Sequence, residues 1–171
     1  SKSYPKIIFM GSNYRDTQNF PLSDLRYTMV KELHRRYGGN FGLYGMNWEK
    51  TSIPAKFLNV HEEAVAYRSA KVCINLSHFN YARYSSDRML RIMGSGGFCL
   101  THNFTGIEKD YIIGKHVATW ANLQELQEKI DYYLANIYER ETIRMQGCQY
   151  VRKNCTWDVR MKELKRFLNL D

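Results

Sequence analysis

Ser85-Ser-Asp-Arg-Met-Leu-Arg-Ile-Met-Gly-Ser-Gly-Gly-Phe-Cys-Leu-Thr101 is the stretch that decides how this chain folds. It reads as a polar loop, a short helix from Arg88 to Met93, a glycine break and a buried strand from Gly97 to Thr101. The loop end and helix start present Ser85, Ser86, Asp87 and Arg88 together. Hydroxyls, backbone N–H groups and a guanidinium at a helix N-terminus suit a phosphate or a polyhydroxylated ligand. Gly94, Gly96 and Gly97 fit tight helix–strand packing better than ligand contact.

The same alternation extends to both sides. Upstream, Lys71 to Ser77 is a strand apolar on both faces, as a parallel sheet requires. Before it come a short helix from Glu62 to Ala70, a loop from Trp48 to Asn59 and a short strand at Phe41–Gly45. Leu22, Leu25, Met29 and Leu33 recur at three- and four-residue steps, which places them on one helix face, with Pro21 near its start and Gly38-Gly39 at its stop. A first strand, Lys6 to Met10, empties into the turn Gly11-Ser12-Asn13. Downstream, Gly106 to Gly114 is a loop or short helix and His116 to Trp120 a fifth strand. The tail is helical. Asn122 and Glu125 form a capping pair ahead of the stripe Leu123, Leu126, Ile130, Tyr133, Leu134 and Ile137. A helix from about Glu139 to Lys153, interrupted at Gly147, follows, and Thr156 caps a last one with Trp157, Met161, Leu164 and Leu168 on one face.

Strands alternating with helices imply an α/β fold, a Rossmann-like doubly wound parallel sheet with a helical C-terminal tail. Ligands of such folds sit outside the carboxyl ends of the strands, here Gly11–Arg15, Ser77–Arg88 and Thr101–Gly106.

The 171 residues suit one domain, 1–171, and 44% hydrophobic with 25% charged residues is ordinary for a soluble protein. No apolar run is long enough for a transmembrane helix, and no basic-then-apolar signal segment opens the chain. The opening Ser-Lys-Ser-Tyr-Pro, without Met, is expected of a processed product or a fragment of a longer protein. A net charge of +8 favours anionic partners, but the charges are dispersed. The densest group, Lys31 with Arg35-Arg36, reads as a solvated helix face rather than a nucleic-acid stripe. Cys73, Cys99, Cys148 and Cys155 form no CxxC pair, and Cys99 with His102 has no second pair to complete a metal site. Reduced thiols in a cytoplasmic protein, with no bound metal, are the expectation.

Several short patterns recur in fixed order. They are Phe9-Met-Gly-Ser-Asn13, Tyr44-Gly-Met-Asn-Trp48, Tyr67-Arg-Ser-Ala-Lys71 with Asn75-Leu76, and Arg88 followed by Gly96-Gly-Phe-Cys-Leu100. The tail adds Leu123–Leu126, Asn136–Arg140, Gly147 and Trp157. In order and spacing these resemble the C-terminal half of GT-B glycosyltransferases, in a CgeB-like, glycosyltransferase family 1-like branch, over nearly the whole chain.

The resemblance implies a half that binds a nucleotide-sugar donor, while an N-terminal half, in the same or another chain, binds the acceptor. It implies transfer of a sugar with a nucleoside diphosphate as leaving group, poor catalysis by this half alone and no metal, and no Asp-x-Asp is present to hold one. Arg88, aided by Arg15, would offset phosphate charge; Gly11, Ser12 and Asn13 would meet the diphosphate or sugar; Ser86 and Asp87 would add hydrogen bonds. Val60, between Asn59 and His61, would offer its backbone to the base. Arg91 stands where related enzymes often carry a ribose-binding Glu, and a guanidinium cannot accept from ribose hydroxyls. Asp87 then takes that role, or the ribose is held differently.

Other residues have weaker readings. His78 follows the third strand at the ligand edge, and Thr105 to Glu108 reads as a surface turn. Phe79, Tyr81 and Tyr84 with Arg83 suit a ligand rim or stacking on bases. Two alternatives therefore stand beside the transferase: a non-enzymatic nucleotide-binding or regulatory module, and a nucleic-acid-binding domain.

Overall fold

The computed structural model describes residues 3–170. Six parallel strands form one sheet: β1 (Ile7–Met10), β2 (Phe41–Tyr44), β3 (Ala55–Lys56), β4 (Val72–Asn75), β5 (Cys99–His102) and β6 (Ala118–Trp120). Their spatial order is β3-β2-β1-β4-β5-β6, the Rossmann order, which reverses direction between β1 and β4. The helices are α1 (Ser23–Tyr37), α2 (Val60–Ser69), α3 (Asp87–Gly94), α4 (Leu123–Ala135), α5 (Ile137–Asn154) and α6 (Trp157–Phe167).

β1 shows why the sheet is covered on both sides. Ile7, Ile8 and Phe9 are all fully buried, and successive side chains point to opposite faces. Ile7 and Phe9 join Met29, Val30 and Leu33 of α1 and Leu126 and Ile130 of α4 in one core. Ile8 and Met10 join Ala66 and Tyr67 of α2, Ile92 and Met93 of α3 and Val151 of α5 in the other. Burying a side chain such as Phe9 is worth about 1.5–3 kcal/mol, so one strand contributes to both cores.

The structure departs from the sequence reading in four places. The loop from Trp48 to Asn59 contains the two-residue edge strand β3, which starts directly after Pro54 and is too short to show a period. α2 starts at Val60, because Asn59 accepts from the Glu62 N–H while Glu62 closes a capping box. α5 runs unbroken through Gly147, where a Cβ would lie 2.2 Å from the His116 carbonyl oxygen. That glycine permits a close approach between the helix and the turn that leads into β6 rather than a break. Ile137 belongs to α5 and is exposed, outside the α4 stripe.

The last helix has the expected apolar face, yet none of its residues is buried. Trp157, Met161, Leu164, Phe167 and Leu168 are exposed. No helix among the described residues is long and apolar enough to cross a membrane.

Candidate functional site

At the reversal between β1 and β4, the chains leaving the two strands diverge and open a cleft of about 190 Å³. Its lining comes from Gly11 and Ser12 after β1, Gly45 and Met46 after β2, Glu63 of α2, His78 after β4, and Arg88 and Arg91 of α3. Tyr14 and Phe57 stand at its rim.

The β1 exit is fixed by its neighbours. Gly11 N–H donates to the Tyr44 carbonyl at 2.7 Å and Asn13 N–H to the Met46 carbonyl at 3.0 Å. Trp48 Nε1 donates to the Gly11 carbonyl at 2.8 Å, and the Ser12 hydroxyl accepts from Met46 N–H at 3.3 Å. Gly45, with φ of 142°, is needed because a Cβ there would lie 2.4 Å from the Gly11 oxygen. A Cβ on Gly11 would meet the Phe9 ring at 2.7 Å. These glycines keep the cleft floor thin.

Two guanidinium groups meet at that floor, Arg88 lining the cleft and Arg26 buried beneath it. Arg26, on the buried face of α1, is 1% exposed. It donates to the Ser12 carbonyl at 3.0 Å and to the Leu76 carbonyl at 2.8 Å, and its Nη1 lies 3.0 Å from His78 Nε2. Arg88, partly buried, donates to the same Leu76 carbonyl at 3.0 Å. Each guanidinium carbon is 5.6 Å from the centre of the Phe9 ring, a favourable cation–π distance. Among the described residues no carboxylate ion pair offsets either charge. Asp87 and Glu63 make no ion pair with Arg88, and both are bonded to Arg91 instead. Burial, then repulsion from Arg88, brings the Arg26 pKa down to about 9, and burial also lowers that of Arg88. Positive charge withdrawn from water without a counter-charge is costly, and an anion in the cleft relieves that cost.

The start of α3 is built from side chains. The Ser86 hydroxyl accepts from Met89 N–H at 3.4 Å and donates to Asn75 Oδ1 at 3.2 Å. Asn75 Nδ2 donates to the Thr101 hydroxyl at 2.9 Å. This chain ties the ends of β4 and β5 to the helix that carries Arg88 and Arg91. Arg91 pairs with Glu63 of α2 at 2.7 Å and with Asp87 at 3.3 Å.

Of the residues singled out in the sequence, Gly11, Ser12, His78, Arg88 and Arg91 line the cleft. Ser86 is buried as the α3 cap, and Asp87 is an exposed first-turn residue paired with Arg91. Arg15 lies elsewhere: its guanidinium stacks 4.1 Å over the Tyr27 ring and sits 3.7 Å from Asp24, along α1. Asn13 and Val60 do not line the cleft, and Val60 is 74% exposed at the start of α2. The Thr105–Glu108 turn packs against the preceding loop, with Arg83 N–H bonded to the Thr105 carbonyl at 2.7 Å. Arg26 and Glu63 escaped the sequence reading. Arg26 had a legible signal, because it falls three residues before Met29 and seven before Leu33, in register with the apolar stripe.

A family described as Glycosyl transferase-like has a sequence model that matches residues 26–166. Comparison with curated proteins finds no significant match in sequence. Among solved structures, sucrose-phosphate synthase from Thermosynechococcus elongatus is similar, with a TM-score of 0.68 and 17% identity, covering 96% of this chain and 45% of that one. A T4 phage BGT mutant in complex with UDP-glucose gives a TM-score of 0.65 at 16% identity, covering 90% of this chain and 44% of that one. The C-terminal domain of a glycosyl transferase group 1 family protein from Francisella tularensis gives 0.62 at 12%, covering 90% and 89%. The chain thus spans about half the length of the two longer proteins. Its six-stranded sheet and helical tail are those of a GT-B C-terminal domain.

Proposed function

The chain belongs to the glycosyl transferase-like family, and we propose that it is the donor-binding half of an enzyme that transfers a sugar from a nucleotide-sugar to an acceptor. The observation that carries this reading is the pair Arg26 and Arg88, two guanidinium groups without an ion-pair partner, Arg88 in the cleft wall and Arg26 beneath it. In sugar transfer a nucleoside diphosphate departs and negative charge grows on its terminal phosphate. Positive groups already fixed beside that phosphate stabilise the departing state more than the bound donor. Arg88 faces the cleft and takes the phosphate oxygens directly; Arg26 adds charge from below. Arg15 reaches the same phosphate only by leaving Tyr27.

The ribose is held by a carboxylate other than one at Arg91. Glu63 lines the cleft and is already oriented by Arg91 at 2.7 Å, which favours it over the exposed Asp87. The base lies toward Phe57 and the start of α2. The acceptor and the rest of the catalytic groups come from the other half, in the same or a second chain. The uncovered apolar face of α6 supports such a partner. The UDP-glucose bound in the phage relative supports a nucleotide-sugar as the ligand class.

A nucleotide-binding module without transfer activity is the second reading, and the guanidinium at Arg91 favours it. Calorimetric titration of the purified protein with UDP, GDP, dTDP and CMP separates these ideas from none at all. Saturable binding of one nucleotide is the expected result, and no binding by the folded protein contradicts both readings.

A further inference from the structure

His78 follows β4, lines the cleft and lies at the centre of a small polar and aromatic cluster. Its Nε2 is 3.0 Å from Arg26 Nη1. A guanidinium only donates, so Nε2 has to accept, and the ring proton is left on Nδ1. That N–H is buried and has no hydrogen-bond partner among the described residues. The opposite tautomer would set two N–H groups against each other.

Arg26 is held from other directions as well. Its bonds to the Ser12 and Leu76 carbonyls fix the guanidinium between the exits of β1 and β4, and its Nε is unpartnered. The imidazole packs against Phe20 at 4.8 Å and Tyr14 at 5.0 Å between ring centres. Burial, then the Arg26 and Arg88 charges, bring its pKa down to about 4, so the ring is neutral at pH 7. A neutral ring locked by a neighbour and carrying one unsatisfied donor is an unfinished hydrogen-bond arrangement, and buried donors without partners are rare.

We propose that Arg26 is a positioning residue that holds His78 as the neutral Nδ1–H tautomer, and that this N–H donates to a phosphate oxygen of the ligand in the cleft. Tyr14, 44% exposed and part of the cleft rim, is the side chain that turns aside to let that oxygen in. The ligand part of the inference rests on the donor-site reading; the tautomer part does not.

Nitrogen NMR of histidine-labelled protein tests the tautomer. The His78 ring shows a protonated Nδ1 and a bare Nε2 at pH 7, unchanged to pH 5. A protonated Nε2, or titration near pH 6.5, overturns it. Calorimetry with UDP tests the ligand contact. His78→Asn places an amide nitrogen where Nδ1 stands and keeps affinity within roughly threefold, whereas His78→Gln reaches the place of Nε2 and loses roughly tenfold, the worth of one hydrogen bond to a charged oxygen. Equal affinities, or equal losses, overturn the contact. If UDP, GDP, dTDP and CMP all fail to bind the unaltered protein, the donor-site reading falls and the ligand contact falls with it, while the spectrum still judges the tautomer.

Discussion

Arg26 and Arg88 converge on one acceptor, the Leu76 carbonyl, at 2.8 and 3.0 Å. The two side chains come from different helices, α1 and α3, and meet at the point where the sheet order reverses. Their shared carbonyl brings two positive charges together where the fold leaves a cleft, and burial, then repulsion from Arg88, lowers the pKa of Arg26.

That lowered value sets a pH dependence. Arg26 loses its proton from about pH 9 in the empty protein, and an anionic ligand binds the protonated form better. Diphosphate affinity is therefore level from pH 7 to 8.5 and declines above about 9. Calorimetry across that range checks it, and a level profile to pH 10 counts against loss of the Arg26 proton near pH 9.

His78 gives the opposite end of the range. Its folded pKa of about 4 lies below the ordinary 6.5, so in that window the unfolded chain takes up a proton that the folded chain does not. Its contribution to stability is complete above pH 6.5 and is lost as pH falls toward 4. Urea unfolding at several pH values shows a shallower acid decline for His78→Asn than for the unaltered protein. Parallel declines contradict the assignment.

Gly147→Ala places a methyl 2.2 Å from the His116 oxygen, and backbone on both sides has to move. The expected loss is about 3 kcal/mol. Gly39→Ala, with nothing within 4 Å of its Cβ, changes stability by less than about 0.5 kcal/mol and serves as control. Denaturant midpoints compare the two, and similar losses refute the packing role.

Ser86→Ala removes the cap of α3 and leaves Asn75 Oδ1 without its donor. The expected cost is about 1–2 kcal/mol, together with weaker ligand binding, because α3 carries Arg88. Unchanged stability means that the cap is not engaged in solution.

Much of the fold was legible because strands buried on both faces and amphipathic helices leave different periods. Ile7-Ile8-Phe9 and Val72-Cys-Ile74 are apolar throughout, as a sheet covered on both sides demands. β3 was not legible, since two residues carry no period. Gly147 looked like a break because a glycine in a helix has two uses, and only the nearby His116 carbonyl decides between them. In the site, Arg88 was legible from a helix start next to a strand end. Arg26 was hidden by the assumption that arginines face water. Arg15 was chosen by nearness in sequence to Gly11, but its left-handed backbone, with φ of 52°, accompanies a side chain turned onto Tyr27.

The most direct test compares a nucleoside diphosphate with the monophosphate of the same base, in the unaltered protein and in Arg88→Ala. Two guanidinium groups without carboxylates predict that the diphosphate binds more tightly by at least about tenfold, and that Arg88→Ala removes most of that preference. Equal affinity for the two nucleotides, or a preference that survives the substitution, contradicts a diphosphate site in the β1–β4 cleft.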